Sequence, residues 1–165
     1  MSNNIRFQCQ QCGLCCHRHI CLYPFEIKKA REFAKKLKKQ LQIVPLRKIF
    51  DIQNQNIIVF IYMIKQRPCP FLSTENFCLI NENKFIACRK YPIQSWIDLG
   101  KVFAKLGLTH EYYEIDLNCT SIKTQPALNE AIKTNPIQSI FPSEYQAVIE
   151  DKKIWIELQS KYRIL

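Results

Sequence analysis

The fold is predicted to form around Arg6-Phe-Gln-Cys-Gln-Gln-Cys-Gly-Leu-Cys-Cys-His-Arg-His-Ile-Cys21, which holds five of the nine cysteines in the chain. Two overlapping C-x2-C steps end in the adjacent pair Cys15–Cys16. A C-x2-C step turns two thiolates toward the same side, and Gly13 can take the positive φ that such a turn often needs. Thiolate-rich sites select zinc or iron–sulfur clusters over hard ions such as calcium. We therefore predict that this stretch surrounds a soft metal centre.

The composition is that of a globular protein. Of the 165 residues, 47% are hydrophobic and 23% are charged, which suits a chain that buries a core, and we predict a single domain over residues 1–165. The three glycines exclude a dinucleotide- or phosphate-binding loop, because no G-x-G-x-x-G or G-x-x-x-x-G-K can be written. The longest apolar run, residues 57–64, is too short to span a bilayer, so no membrane partner is expected.

The number of cysteines and the expected cellular compartment together indicate whether the cysteines form disulfides. The N-terminus, Met-Ser-Asn-Asn-Ile-Arg, has no apolar signal core, so we expect a cytoplasmic protein. In a reducing cytosol, nine cysteines are more often ligands or reactive groups than a disulfide framework, and their odd number argues against complete pairing. Disulfides of the kind found inside hyperthermophiles are the alternative. The formal net charge of +10 is compatible with an anionic partner.

Hydrophobic periodicity predicts an α+β fold, with a small antiparallel sheet from the middle of the chain and helices at both ends. The first helix is predicted over about residues 24–42, ending near Pro45, with its apolar side on Ala30, Phe33, Ala34, Leu37 and Leu41. Residues 57–64 are predicted to form a strand buried on both faces. Further predicted elements are two short strands over 95–104, a strand over 114–118, and helices over about 126–133 and 143–161.

Three more cysteines lie in the middle of the chain: Cys69, Cys78 and Cys88. Pro68 and Pro70 hold the first of them in an extended loop, since proline excludes helix there. The second is predicted on a short strand of residues 76–80, and the third at the end of a short helical turn. Their spacings are too long for a local chelate. We expect a loop and a hairpin that fold onto a site begun at the N-terminus.

The motifs Cys9-x2-Cys12-x2-Cys15-Cys16, Cys69-Pro-Phe-Leu, Cys78-x-Ile80, Cys88-Arg-x-Tyr-Pro92 and a late Cys119 resemble one known family. This is the CxxCxxCC cysteine-cluster (YkgJ-like) family of zinc- or iron-chelating proteins, which includes proteins similar to flagellin lysine-N-methylase. The matching motifs span residues 6 to about 122 and leave a helical C-terminal extension over about 123–165. The resemblance implies metal chelation more firmly than methyl transfer.

The chain departs from the family pattern at two places. Asn81-Glu82-Asn83-Lys84-Phe85 stands where the family has Tyr-Glu-x-Arg-Pro. Cys119-Thr-Ser-Ile122 stands where the family has Cys-Pro-Gly-Ile. Cys21 has no counterpart in the pattern. Any activity that depends on the Arg-Pro segment is therefore not implied by the resemblance.

Eight cysteines match the family pattern and are predicted to be metal ligands: Cys9, Cys12, Cys15, Cys16, Cys69, Cys78, Cys88 and Cys119. In an extended backbone, Cys15 and Cys16 would point to opposite sides, and one ion held by both would close a strained ring. The pair is therefore predicted either to serve two centres or to divide between one centre and a buried or reactive thiol. His17, His19 and His110 are alternative ligands, although histidines beside such clusters more often lie at the surface.

Two cofactors fit these ligands. One is zinc in two four-cysteine sites, and the other is a single iron–sulfur cluster, [4Fe–4S], with the remaining thiols structural or redox-active; we favour the second. The functions that follow are a metal-binding protein with a structural or electron-carrying centre and a redox partner, a cluster-dependent enzyme that modifies a protein substrate (lysine N-methylase-like), and a zinc-stabilised basic nucleic-acid-binding module. No catalytic residue is identified, because the chain has no C-x3-C-x2-C motif, no glycine-rich methyltransferase loop and no Ser/His/Asp set.

Overall fold

The computed structural model describes residues 5–51, 54–95 and 113–162. The chain divides into two compact units. The first, which we call the cysteine unit, contains residues 11–51, 54–88 and 158–162 of the described chain. The second, which we call the helical unit, contains residues 5–10, 89–95 and 113–157. The predicted single domain and its helical extension from about residue 123 stay predictions.

The cysteine unit is built on a three-stranded antiparallel sheet. Its strands are β1 (Ile20–Leu22), β2 (Ile43–Asp51) and β3 (Asn56–Ile64), in the order β1-β3-β2. The β-branched and aromatic run predicted as a strand is β3, the central strand. It is not buried throughout, because its first residues are exposed and the fully buried positions are Phe60, Ile61 and Ile64. The prediction of burial on both faces therefore holds only for the second half of β3.

Helix α1 (Pro24–Lys36) begins at the predicted proline but ends earlier than the predicted residue 42. Lys38 adopts a positive φ of 52°, and the Lys39 N–H donates to the Ala34 carbonyl at 2.9 Å, which closes the helix end. The chain then enters β2, which contains Pro45. Proline is tolerated there because β2 is an edge strand, where a ladder N–H can be spared. Pro45 was predicted to lie near the end of a helix, and this strand was not predicted.

The cysteine unit also contains two 3-10 turns, Leu14–His17 and Asn81–Asn83, and the short helix α2 (Ile86–Arg89). The predicted helical turn at Cys88 is thereby confirmed. The apolar core of this unit contains two cysteines among its fully buried residues: Cys16, Ile20, Leu22, Ala30, Ala34, Ile64, Cys69, Phe71, Ile80 and Phe85. Sulfur is therefore part of the hydrophobic core and not a surface addition.

The helical unit pairs β4 (Ile93–Ser95) with β5 (Tyr113–Ile115) in an antiparallel ribbon. Four helices follow: α3 (Thr120–Lys123), α4 (Pro126–Thr134), α5 (Ile137–Ile140) and α6 (Pro142–Tyr162), of which residues 142–157 belong to this unit. The two predicted C-terminal helices correspond to α4 and α6. The predicted strand over 114–118 is shorter, ending at Ile115, and the strands predicted over 95–104 lie outside the described residues after Ser95.

The α+β prediction is confirmed by the small antiparallel sheet and its flanking helices. The core of the helical unit is almost wholly apolar, with Phe7, Ile93, Ile122, Leu128 and Phe141 among its buried side chains. Within the part of the chain that the structure describes, none of the helices has the length and hydropathy required to cross a bilayer.

Candidate metal centre

The adjacent cysteines lie in a tight turn and not in an extended segment. Gly13 has a φ of 72°, and the Cys16 N–H donates to the Gly13 carbonyl at 2.8 Å, so Cys15 and Cys16 fall within the 3-10 turn Leu14–His17. The predicted positive φ of Gly13 is confirmed. The predicted division of Cys15 and Cys16 between two sites assumed an extended backbone, which this turn does not have, and the division stays a prediction.

The turn packs closely on a loop of residues 72–76. A Cβ atom built on Gly13 would lie 2.6 Å from the Asn76 carbonyl oxygen and 2.6 Å from Leu72 Cδ1. Real side chains do not come this close to a backbone oxygen, so only glycine fits here. Glycine is therefore needed both for the backbone conformation and for the approach of the second cysteine group.

Two backbone contacts bring the second cysteine group onto the first. The Cys69 N–H donates to the Cys16 carbonyl at 2.7 Å. Leu72 and Cys78 form an isolated β-bridge, and the Leu79 N–H donates to the Phe71 carbonyl at 2.8 Å, so the chain turns back between them. The predicted strand over 76–80 is reduced to this bridge. Its predicted role, to return Cys78 toward a site begun elsewhere, agrees with these contacts.

Five thiols converge at this point, and we call them the thiol group: Cys15, Cys16, Cys69, Cys78 and Cys88. The Cys16 side chain hydrogen-bonds with three of the others, Cys15, Cys69 and Cys78. Cys88 lies on α2, close enough to the same three residues for their charges to raise its pKa. Three segments of the cysteine unit that are distant in sequence therefore each contribute sulfur to one place.

Protonation differs strongly within the thiol group. The hydrogen bond from Cys16 is the main cause that lowers the pKa of Cys78 to about 6 and of Cys15 to about 7. The same hydrogen bond lowers the pKa of Cys69. The pKa of Cys16 is raised by its hydrogen bonds to Cys15, Cys69 and Cys78, so it is the thiol that keeps a proton. These contacts therefore favour the charged form of Cys15, Cys69 and Cys78 and the protonated form of Cys16.

Two charged residues that the sequence analysis did not identify act on the thiol group. The charge of Lys84 lowers the pKa of both Cys15 and Cys78. Lys84 occupies the position of arginine in the family's Tyr-Glu-x-Arg-Pro segment, so this substitution keeps the positive charge. Lys84 could have been identified from the sequence by aligning this segment with the family pattern. A cation at that position, close to predicted thiolates, favours their charged form.

Glu26 is a buried carboxylate, 6% exposed, that joins α1 to the segment carrying Cys88. Its Oε2 accepts the Tyr23 N–H at 3.0 Å and its Oε1 accepts the Ile86 N–H at 2.9 Å. Burial first, and then the charges of the neighbouring thiolates and of Glu26, raise the pKa of the Cys88 thiol. From the sequence alone, Glu26 is only an acidic residue in the first turn of a helix. Its hydrogen bond with Ile86 could not be predicted, because Ile86 is distant in the chain.

The other predicted ligands differ from one another in burial. Cys12 is exposed, and so is Cys9. Cys119 is buried within the apolar core of the helical unit, at the N-terminus of α3. His17 and His19 are exposed, and His110 lies outside the described residues. The eight-cysteine ligand set stays a prediction, of which the structure gathers five members.

The donor atoms present fit a soft metal, since thiolate sulfur is the preferred ligand of zinc and of iron–sulfur clusters. Among residues 5–51, 54–95 and 113–162, no group of three or more His, Cys, Asp or Glu side chains has the geometry of a formed metal site. The thiols are therefore gathered but not yet arranged as a coordination sphere, which is common for sites completed by binding.

Comparison with known families gives one result that covers most of the site. The model of the CxxCxxCC family, described as a "putative zinc- or iron-chelating domain", matches residues 8–120. This range includes all nine cysteines, and therefore the whole thiol group. No curated protein and no solved structure matches the chain. The match covers more than half of the sequence, and the chain belongs to the CxxCxxCC family of zinc- or iron-chelating domains.

Proposed function

We propose that the protein binds one soft metal ion, zinc first of all, in the thiol group, and that this ion stabilises the cysteine unit. The proposal is carried by the hydrogen-bond contacts of Cys16 with Cys15, Cys69 and Cys78. Zinc–sulfur bonds of about 2.3 Å place the sulfurs of a tetrahedral site roughly 3.8 Å apart, near the distance of a thiol–thiol hydrogen bond. Small side-chain rotations would then complete the site.

An iron–sulfur cluster is the second candidate. A [4Fe–4S] cluster places a cube of iron and inorganic sulfide between its cysteines, each bound to a different iron, so the ligands must stand further apart than in a single-ion site. The close packing of the thiol group therefore supports zinc, or a single iron ion, over the [4Fe–4S] cluster that we favoured from the sequence. Cys88 is the fifth thiol and is the candidate to replace one of the other four as a ligand.

The role proposed for the metal is structural. Cys16 and Cys69 are 2% and 4% exposed and belong to the apolar core of the cysteine unit. Closed, buried four-ligand sites are typical of structural zinc, whereas catalytic zinc keeps a position open to water. When bound, the ion supplies a cross-link between the N-terminal turn and the central loops. The protein substrate, redox partner and nucleic acid considered from the sequence have no comparable support.

Metal content tests the proposal directly. Zinc, iron and acid-labile sulfide are measured per chain in anoxically purified protein, together with the variants Cys16→Ser and Cys21→Ser. We expect one zinc per chain without sulfide, loss of that zinc in Cys16→Ser, and retention in Cys21→Ser, which keeps all five members of the thiol group. If the purified protein contained iron with equimolar sulfide, the iron–sulfur cluster would be supported and zinc would be rejected. A folded, metal-free wild-type protein would overturn the proposal.

The variant Cys12→Ser separates a single centre from the predicted eight-ligand arrangement. Cys12 is exposed and outside the thiol group, so the proposal expects Cys12→Ser to keep its zinc while Cys88→Ser binds it more weakly. A second metal ion in the wild-type protein that disappears in Cys12→Ser would instead support two centres.

A further inference from the structure

Three soft donor atoms lie together on the sheet of the cysteine unit. Cys21 in β1 is paired with Met63 in β3, and side chains of directly paired residues share a face of the sheet. His19 precedes Cys21 by two positions, and its Nδ1 lies 2.8 Å from the Met63 Sδ. An imidazole nitrogen, a thiol and a thioether are thus adjacent.

These donors lie on the opposite face of β1 from the thiol group. Ile20 and Leu22, the neighbours of Cys21 in the strand, are 4% and 1% exposed and pack in the core that contains Cys16. Because side chains alternate along a strand, Cys21 points away from that core. Cys21 is partly exposed, so this second set of donors can be reached from solvent.

The contacts of His19 place two electron-rich atoms, its Nδ1 and the Met63 Sδ, next to each other. Arg67 Nη2 contacts the same Nδ1 atom that faces the Met63 Sδ. When Arg67 donates to Nδ1, that nitrogen carries no proton, since a ring nitrogen that accepts a hydrogen bond is the unprotonated one. A nitrogen lone pair then faces a sulfur lone pair with no hydrogen between them. A small cation bound by both atoms would remove this repulsion.

We propose that His19, Cys21 and Met63 form a binding site for a soft monovalent cation of the copper(I) class. Thiolate and thioether sulfur with imidazole is the donor set that selects copper(I), whereas structural zinc sites use thiolate and imidazole without thioether. One thiolate and one monovalent cation are together neutral, which suits a partly buried position. Arg67 is displaced from Nδ1 on binding, because the nitrogen has a single lone pair.

Methionine-methyl NMR with silver(I), a redox-stable probe for copper(I), tests this site. The chain has two methionines, Met1 and Met63, so protein labelled with 13C at the methionine methyl groups gives two resonances, and Met1 is an internal control. Silver(I) is added until it exceeds all nine thiols. We expect the Met63 methyl resonance to shift in a saturable step of one ion per chain, with Met1 unmoved.

Variants of the three partners distinguish the site from silver bound elsewhere. His19→Ala and Cys21→Ser are expected to weaken the Met63 step by about ten-fold or more, and Arg67→Ala to strengthen it. Cys16→Ser, which affects the thiol group, is expected to leave the Met63 step in place. A Met63 resonance that never moves, a shift shared equally with Met1, or a shift unchanged in His19→Ala would each overturn the proposal without bearing on zinc in the thiol group.

Discussion

The cores of the two units differ in composition. The core of the helical unit consists mostly of apolar side chains such as Phe7, Leu128 and Phe141, with Cys119 buried among them. The core of the cysteine unit includes Cys16 and Cys69, and the hydrogen bond from Cys16 lowers the pKa of Cys69 and so favours its charged form. Buried charge is costly unless it is compensated, so we expect the cysteine unit to depend more strongly on a bound ligand than the helical unit does.

Metal removal should give the largest difference between the two units. A structural zinc site contributes on the order of 10 kcal/mol to folding, comparable with the whole stability of a domain. After treatment with a strong chelator, we expect hydrogen exchange to accelerate throughout β3 and α2 while α4 stays protected. Mass spectrometry of peptides from each unit measures this, with the untreated protein as the control. Equal acceleration in both units would mean that the helical unit depends on the metal as well.

Matched phenylalanine variants sharpen the comparison. Phe71 is fully buried against Phe33 and Phe85, and Phe141 is fully buried against Phe7, so either alanine variant should lose about 3–5 kcal/mol. Phe71→Ala should also lose zinc, because the Phe71 side chain packs in the same core as Cys16 and Cys69. Phe141→Ala should keep its zinc. Denaturant unfolding and metal analysis of the two variants check this, and zinc lost equally from both would contradict it.

Gly13→Ala should destabilise the cysteine unit by about 2–4 kcal/mol, through the cost of a positive φ and a contact with the Asn76 carbonyl oxygen. Gly13→Asn separates the two causes, since asparagine tolerates a positive φ but still carries a Cβ atom. We expect Gly13→Asn to be almost as unstable as Gly13→Ala in thermal unfolding. Recovery of wild-type stability by asparagine would show that the backbone conformation alone matters.

Glu26→Gln should cost about 1–3 kcal/mol, because the amide has one acceptor oxygen where the carboxylate accepts two backbone N–H groups. The matched control is Glu32→Gln, which changes an exposed glutamate on the same helix. Denaturant midpoints of the two variants give the comparison. If both variants unfold like the wild type, the buried carboxylate does not connect α1 to the segment of Cys88 as we infer.

Lys84→Ala should have the smallest effect, a loss of zinc affinity of less than about five-fold, as for a partly exposed charge. Removing the cation raises the pKa of Cys15 and Cys78, so protons compete better with zinc. The loss should be greatest near pH 6 and should vanish at a pH above both pKa values. Competition with a chromophoric chelator measures it, with Lys84→Arg expected to restore the affinity and Lys36→Ala as the control. A loss that does not depend on pH would point to a structural effect of the variant.

Local patterns predicted much of the fold and part of the site. The proline at the start of α1, the β-branched run of β3 and the positive φ of Gly13 were all evident from residues near one another in the chain. The strand β2 was not predicted because proline usually ends a helix or strand. Pro45 fits within β2 only because this strand lies at the edge of the sheet, which the sequence does not show. The end of α1 was misplaced because the apolar stripe continues past Lys38, where the backbone leaves the helix.

The class of chemistry could be inferred from the residues alone, because the cysteine motifs identify a family of zinc- or iron-chelating domains and soft metals prefer sulfur ligands. Which sulfurs come together depends instead on tertiary packing. Cys69 reaches Cys16 through a backbone hydrogen bond between distant segments, and Lys84 and Glu26 act on thiols to which no spacing rule connects them. Spacing encodes local turns, whereas convergence depends on how several segments pack together, and packing is a property of the whole cysteine unit.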